Sequence, residues 1–180
     1  MEETKLLQEF KKGINKEKIF NLFLEKYKKK VYWHVRTIII DHDDADDVVQ
    51  NTFIKVWKYL DSFQEKSTFG TWIYRIATNE ALTFIKKYKK NQEVKSQETS
   101  DYLLEKLSKE DGYSEKKTEW QLQKAIQTLP EQQKIIFLLR YYQDFSFKEI
   151  SEVMETSENG LKSNYHHANK KIQKYLRDNF

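Results

Sequence analysis

Along this chain the apolar positions recur at intervals of three and four, the period of a helix buried on one side. No stretch alternates at a period of two for long enough to suggest a strand. The clearest case runs from Asp41 to Leu60. Ala45, Val48, Val49, Thr52, Phe53, Val56 and Leu60 line one side of a helix for its whole length. Asp41, Asp43, Asp44, Asp46 and Asp47 crowd its start, where carboxylates cap free N–H groups and face the positive end of the helix dipole. Upstream, residues 2–12 predict a short amphipathic helix stopped at Gly13, with Asn15 as the cap of a second helix. Phe20, Phe23, Leu24, Tyr27, Val31, Val35, Ile38 and Ile39 keep helical spacing through that second helix and predict a core element packed along the 45–60 helix. His34, on its edge, reads as an ordinary packed histidine rather than a ligand. Residues 61–68, DSFQEKST, break the pattern as a loop, and Phe69, Trp72, Ile73, Ile76, Ala77 and Phe84 then give the buried side of a third helix.

From about Tyr88 to Lys117 the chain turns polar and loses its core positions, which reads as a linker; Leu103, Leu104 and Leu107 could supply a turn or two of helix within it. A second helical unit follows. Leu122, Ala125, Ile126 and Leu129 form one stripe, and Pro130 punctuates the start of the next, carried by Ile135, Leu138, Leu139 and Tyr142. Ser146 to Glu149 has the spacing of a capping box, with Phe145 and Ile150 placed to staple a helix over 147–154. A turn at 155–157 leads into a last helix buried through Leu161, Tyr165, Ala168, Ile172 and Leu176, and two helices joined this way fit a helix-turn-helix. The expected architecture is all-α: two small helical domains over residues 1–90 and 118–180, joined by a linker over 91–117.

Composition narrows the class. Hydrophobic content is modest at 38% against 33% charged residues, so any core must be economical, and the 14% aromatic content helps because each buried ring removes a large apolar area from water. Cysteine is absent, which excludes disulfides and thiolate metal sites and agrees with a reducing cytoplasm. The first residues, MEETKLLQEF, lack the basic and apolar regions of a signal peptide, and the longest apolar runs are too short to span a bilayer, so no membrane insertion is expected. An EF-hand begun at Asp41 would need Gly at its sixth position and Glu at its twelfth, where this chain has Asp46 and Thr52. No second histidine stands at helical ligand spacing from His42. The aspartates read as caps, and neither metal nor cofactor is expected.

Net charge is +4, unevenly spread. Residues 1–90 hold 18 Lys or Arg against 13 acids, residues 91–117 hold 5 against 7, and residues 118–180 hold 9 against 8. Lys86, Lys87, Lys89 and Lys90 cluster at one helix end, and Lys162, Lys170, Lys171, Lys174 and Arg177 form an acid-free run at another, a pattern suited to a polyanion. Two faces stand out. Opposite the apolar stripe of the 41–60 helix lie Asp47, Asn51, Ile54 and Lys58, with Gln50 on the flank, and an apolar Ile54 centred on a polar face suggests a docking surface. On the third helix Arg75, Asn79, Leu82, Thr83, Lys86 and Lys90 stack into a strip whose cations suit phosphates and whose amide suits an unstacked base edge.

The segment DADDVVQNTFIKVWKYLDSF, followed by STFGTWIYRIATNEAL, resembles region 2 of bacterial RNA polymerase sigma factors of the extracytoplasmic-function (ECF) group of the sigma-70 family. LPEQQKIIFLLRYYQDFSFKEISEVMETSENGLKSNYHHANKKI resembles region 4 of the same family, and the two occur in order across a linker. The resemblance implies a non-enzymatic transcription initiation factor, cytoplasmic, that binds core RNA polymerase, directs it to promoter DNA and melts it, with an anti-sigma factor as a further partner. By position it makes Asp47, Gln50, Asn51 and Ile54 the polymerase-binding residues. It assigns Ser62, Phe63, Phe69, Arg75, Asn79, Lys86 and Lys90 to the minus-10 element, with Ser62 to Phe69 as a specificity loop and Asn79 at the pocket for a flipped base. On the last helix, Asn159, Lys162, Ser163, His166, Lys170 and Lys174 are left as candidates for the minus-35 element.

The departures lie where they matter. Positions usually basic in the family are Asn164, His167 and Asn169 here, which should weaken phosphate attraction, and the glycine common in the turn is replaced by Glu155. Two other readings are less complete. A helix-turn-helix regulator acting without core polymerase leaves the 41–60 face and the Arg75–Lys90 strip unexplained. A metal-dependent enzyme built on Asp41 to Asp47 lacks the histidines and glutamates that would support its ligands.

Overall fold

The computed structural model describes residues 2–91 and 117–179, and among them the chain forms eight α-helices and no strand. The first four are α1 (Glu2–Lys11), α2 (Lys16–Ile38), α3 (His42–Tyr59) and α4 (Phe69–Asn91), with a 3-10 turn at Leu60–Ser62. The second group is α5 (Lys117–Gln127), α6 (Glu131–Tyr142), α7 (Phe147–Met154) and α8 (Glu158–Asn179). Leu103, Leu104 and Leu107 lie outside the described residues. Helix α4 continues to Asn91, past Tyr88 where the polar linker was expected to begin. Its last turns need no core, because Lys and Asn there extend a helix already nucleated by its apolar start.

The ends of the helices follow local chemistry, with one exception. At the end of α1, Gly13 takes a φ of 79°, and its N–H and that of Ile14 donate to Phe10 and Glu9 carbonyls at 2.9 and 3.0 Å. Asp41 caps α3 from an extended backbone, its carboxylate accepting from the Asp43 and Asp44 amides at 3.0 and 3.2 Å. Asn15 precedes α2 as expected but makes no side-chain cap. Its backbone is left-handed (φ 48°, ψ 37°), and only an extended backbone aims the amide at the free N–H groups of the first turn. The capping box of α7 forms in both directions: Glu149 N–H donates to Ser146 Oγ at 3.2 Å, and Ser146 N–H donates to the Glu149 carboxylate at 2.8 Å.

In the first domain the stripes of α2, α3 and α4 meet along Val31, Val35, Val49, Val56, Ile73 and Ala77, all nearly inaccessible. Thr52 enters this core because its hydroxyl donates to the Val48 carbonyl of its own helix at 2.7 Å. Trp57 meets Phe10 and Phe20 edge-on and so ties α1 and α2 to α3. The second domain closes around Ile126, Ile135, Leu138, Leu139, Ile150 and Leu161. The two domains touch: α4 packs on α7, and α2 on α6.

His34 is fully buried in the first domain, its Nε2 paired with Thr78 Oγ1 at 2.9 Å. Desolvation lowers its pKa from 6.5 to about 3, so the folded chain holds it neutral. The unfolded chain gains a proton near pH 6.5, and the stability tied to the neutral ring is complete above that pH and is lost as pH falls toward 3. Urea unfolding at pH 7.5 and at pH 5 should differ by about 2 kcal/mol from this group. His34→Gln should remove that part of the difference; an unchanged pH dependence would show that other groups set it.

Candidate nucleic-acid interface

Helix α3 turns its apolar stripe inward and leaves Asp47, Gln50, Asn51 and Ile54 exposed on the opposite side. Ile54 is 63% exposed, the most exposed of the large hydrophobic side chains among the described residues. Behind it Lys55 forms an ion pair with Glu80 of α4, whose side chain is mostly covered. The acidic start of the helix is electrostatically crowded. Partial burial first, then the carboxylates of Asp41, Asp47 and Asp43, push the Asp44 pKa above its ordinary value. His42 accepts or donates at Tyr32 Oη (2.7 Å) and lies 3.6 Å from the Asp46 carboxylate. Among the described residues, no group of three His, Asp or Glu side chains is placed to hold a metal ion.

On α4 the side chains of Arg75, Asn79, Thr83 and Lys86 are exposed along one face, with Leu82 half-buried among them. Thr83 donates to the Asn79 backbone carbonyl at 2.7 Å, and the Asn79 side chain is exposed. Lys90 falls within α4, but its side chain lies outside the described set. The structure alters two of the expected contacts in the preceding loop. Phe63 and Phe69, 5% and 3% exposed, are core residues rather than surface contacts. Phe69 packs on Phe23 at 4.5 Å, Phe63 on Trp72 at 4.9 Å, and the two rings lie 5.7 Å apart, because the loop can close only by anchoring both of its ends in the apolar interior. Ser62 is exposed, its hydroxyl donating to the Tyr59 carbonyl at 2.8 Å.

Features of this loop that the sequence pattern does not show are its long-range ties. Lys11 reaches Glu65 at 2.6 Å and Lys16 reaches Asp61 at 2.7 Å, so α1 and α2 brace the loop. Glu65 itself sits at a left-handed φ of 56°. Thr68 caps α4 by accepting from the Thr71 amide at 3.1 Å.

In the second domain, α7 and α8 form the expected helix-turn-helix. Leu161, Ala168 and Ile172 are buried, while Asn159, Lys162, Ser163, His166, Lys170 and Lys174 are exposed along one side of α8. Asn164 turns its amide back to the Gly160 carbonyl at 3.0 Å. The rings of His166 and His167 are 6.1 Å apart and tilted by 58°, too divergent for a shared ligand. The turn residue Glu155 is left-handed, at φ 52° and ψ 40°, and its carboxylate pairs with Arg75 of α4. Next to that pair, Tyr74 donates to the Gln143 side chain. Arg75 is thus brought to the second domain rather than left open with Asn79 and Lys86.

An all-α chain that presents a basic, amide-bearing strip on one domain and a helix-turn-helix on the other is, in class, a DNA-binding protein. Family comparison is specific. The model described as Sigma-70 region 2 matches residues 23–91, and that described as Sigma-70, region 4 matches residues 119–172, about two thirds of the chain between them. The chain is 28% identical to the ECF RNA polymerase sigma factor SigW of Bacillus subtilis, covering 97% of this chain and 96% of that relative. It is 29% identical to the ECF RNA polymerase sigma-E factor of Escherichia coli, covering 93% and 90%. Among solved structures its fold is similar to CnrH in complex with the cytosolic domain of CnrY (TM-score 0.71, 18% identity, 97% of each chain). It is also similar to the sigma factor RpoE in complex with the anti-sigma factor NepR from Bartonella quintana (TM-score 0.68, 19% identity, 88% of this chain and 96% of that one). The chain belongs to the ECF group of the sigma-70 family of RNA polymerase sigma factors.

The exposed lysines of α8 define a test of that face. Replacing Lys162, Lys170 or Lys174 singly by Ala should weaken duplex binding for all sequences and reduce the slope of log affinity against log salt by roughly one unit. An unchanged slope in all three variants would assign these side chains to solvent.

Proposed function

We propose that this sigma factor docks on core RNA polymerase through the outward face of α3, with Asp47, Gln50, Asn51 and Ile54 as the contact residues. The observation that carries the reading is the exposure of Ile54, an aliphatic side chain 63% exposed beside Asp47, Gln50 and Asn51 on a helix whose opposite side is buried. On this reading residues 1–90 form region 2, residues 91–117 the linker and residues 118–180 region 4. The minus-10 element meets Ser62, Arg75, Asn79, Lys86 and Lys90, with Phe63 and Phe69 supporting the loop from beneath. The minus-35 element meets the exposed face of α8. The protein acts in the cytoplasm and performs no chemistry itself, nucleotidyl transfer belonging to polymerase. No helix among the described residues is long and apolar enough to cross a membrane. An anti-sigma factor is proposed as a regulator, supported by the likeness to sigma factors solved with such partners.

Ile54→Glu tests docking. Since the side chain contributes little to the core, the variant should keep the helical circular dichroism signal and thermal midpoint while losing co-purification with core enzyme. Unfolding would place Ile54 in the core and overturn the assignment.

Asn79 tests opening. An amide carries a donor and an acceptor, and Asn79 stands one helical turn from Arg75 and two from Lys86, so it can read a base edge while the cations hold backbone. Asn79→Ala should leave polymerase binding intact, cost about 1–3 kcal/mol of base discrimination, and reduce permanganate reactivity at unpaired thymines. A pre-melted template should recover part of the lost transcription. Equal defects on duplex and bubble would give Asn79 a role in recognition alone.

A further inference from the structure

We propose that Lys11 and Lys16 are positioning residues for promoter recognition, holding the 61–68 loop in shape from behind and cancelling the charge of its two carboxylates. The inference rests on the minus-10 role proposed for this loop.

The loop is fixed at both ends. Phe63 and Phe69 sink into the core, and Gly70 lets the start of α4 lie against Tyr27, whose ring edge and hydroxyl would meet a Cβ there at 3.4 Å. Between these anchors Gln64, Glu65 and Lys66 are exposed, and Glu65 takes a left-handed backbone (φ 56°) that a side chain disfavours. Such a residue keeps its conformation only where the surroundings hold it. Lys11 does so, its ammonium 2.6 Å from Glu65 Oε1 and 5.8 Å from the centre of the buried Phe63 ring. Lys16 donates to both oxygens of Asp61 at 2.7 and 2.8 Å and lies 4.9 Å from the centre of the buried Phe10 ring.

An ion pair between two free surface side chains contributes little, because both must be ordered to form it. Here each ammonium is seated on an aromatic face of the core, so the lysine is already directed at the loop. The reversal at Gly13 and Asn15, both left-handed (φ 79° and 48°), brings the last residue of α1 and the first of α2 to this one loop.

The pairs matter for what the loop meets. Its carboxylates, Asp61 and Glu65, outnumber its one cation, Lys66, so alone it would present net negative charge to a polyanionic strand. Pairing with Lys11 and Lys16 reverses that sign. Carboxylates held by lysines are also withheld from the cytosine amino groups they would otherwise accept from. A loop fixed beforehand loses less freedom when it closes on a base. Losing the two pairs should therefore cost sequence selectivity more than stability.

Core polymerase carrying this factor, offered a single-stranded DNA pool of random sequence, should enrich a motif that sequencing reads out. Lys11→Ala combined with Lys16→Ala should lower that enrichment about five- to tenfold. Core-enzyme binding should be unchanged, and the thermal midpoint should fall by no more than about 4 °C. Glu65→Gln should lower selectivity as Lys11→Ala does, yet bind the unselected pool at least as well as the parent, because it removes a negative charge. Combining Lys11→Ala with Glu65→Gln should cost no more selectivity than either alone. Unchanged enrichment in the double lysine variant would overturn the proposal. So would Glu65→Gln and Asp61→Asn at the parent's level, which would make the lysines direct phosphate contacts. If the alanine variants unfold, these two loop variants, which leave both lysine stems on their rings, decide by the same measurement. Ser62→Ala and Gln64→Ala test the loop itself. A motif that neither changes would refute the loop's minus-10 role and the brace with it, whereas a motif they change and the lysine variants do not would refute the brace alone.

Discussion

Helix α4 has to satisfy two neighbours at once. Ile73, Ala77 and Ala81 are buried where it packs on α2 and α3, while Tyr74 faces the second domain. The small residues Ala77 and Ala81 allow close approach on the inner side, and polar side chains take the other buried positions only where a partner exists. Thr78 has His34, Tyr74 has Gln143, and Thr71 has Thr68. What remains open is a narrow strip carrying Asn79, Thr83 and Lys86, with Arg75 at its edge paired to Glu155.

The first domain behaves as one body under this constraint. Lys55 and Glu80 join α3 to α4 across their packed stripes, and Trp57 fastens α1 and α2 to the same unit. On the proposed reading, a partner that grips Ile54 therefore fixes where Asn79 points. The second domain meets this body where α7 packs on α4 and α6 on α2, with Phe145 edge-on to Tyr74.

Much of this was legible in the chain because the governing interactions are local. The stripe of α3, its Asp41 cap and the Ser146–Glu149 box each involve residues within one or two turns, and each formed as read. Asn15 failed as a cap because the tight turn after Gly13 imposes a left-handed backbone that composition does not announce. Phe69 stands both on the buried side of α4 and at the end of the expected specificity loop, and it is 3% exposed. The meeting of the two domains was invisible for a simpler reason. Tyr74 and Gln143, or Arg75 and Glu155, are separated by 69 and 80 residues, and each alone looks like an ordinary surface side chain.

Among the described residues the left-handed positions are mostly not glycines. Asn15, Glu65, Asp144 and Glu155 all have positive φ, and the last two bracket α7 at the domain boundary. Aspartate and glutamate codons differ from glycine codons by a single base. The ends of α7 are therefore mutationally close to residues that would relieve backbone strain, and at position 155 the same substitution deletes the side chain that reaches Arg75. One nucleotide change at position 155 therefore exchanges an ion pair between the domains for a relaxed turn, without touching the buried apolar residues.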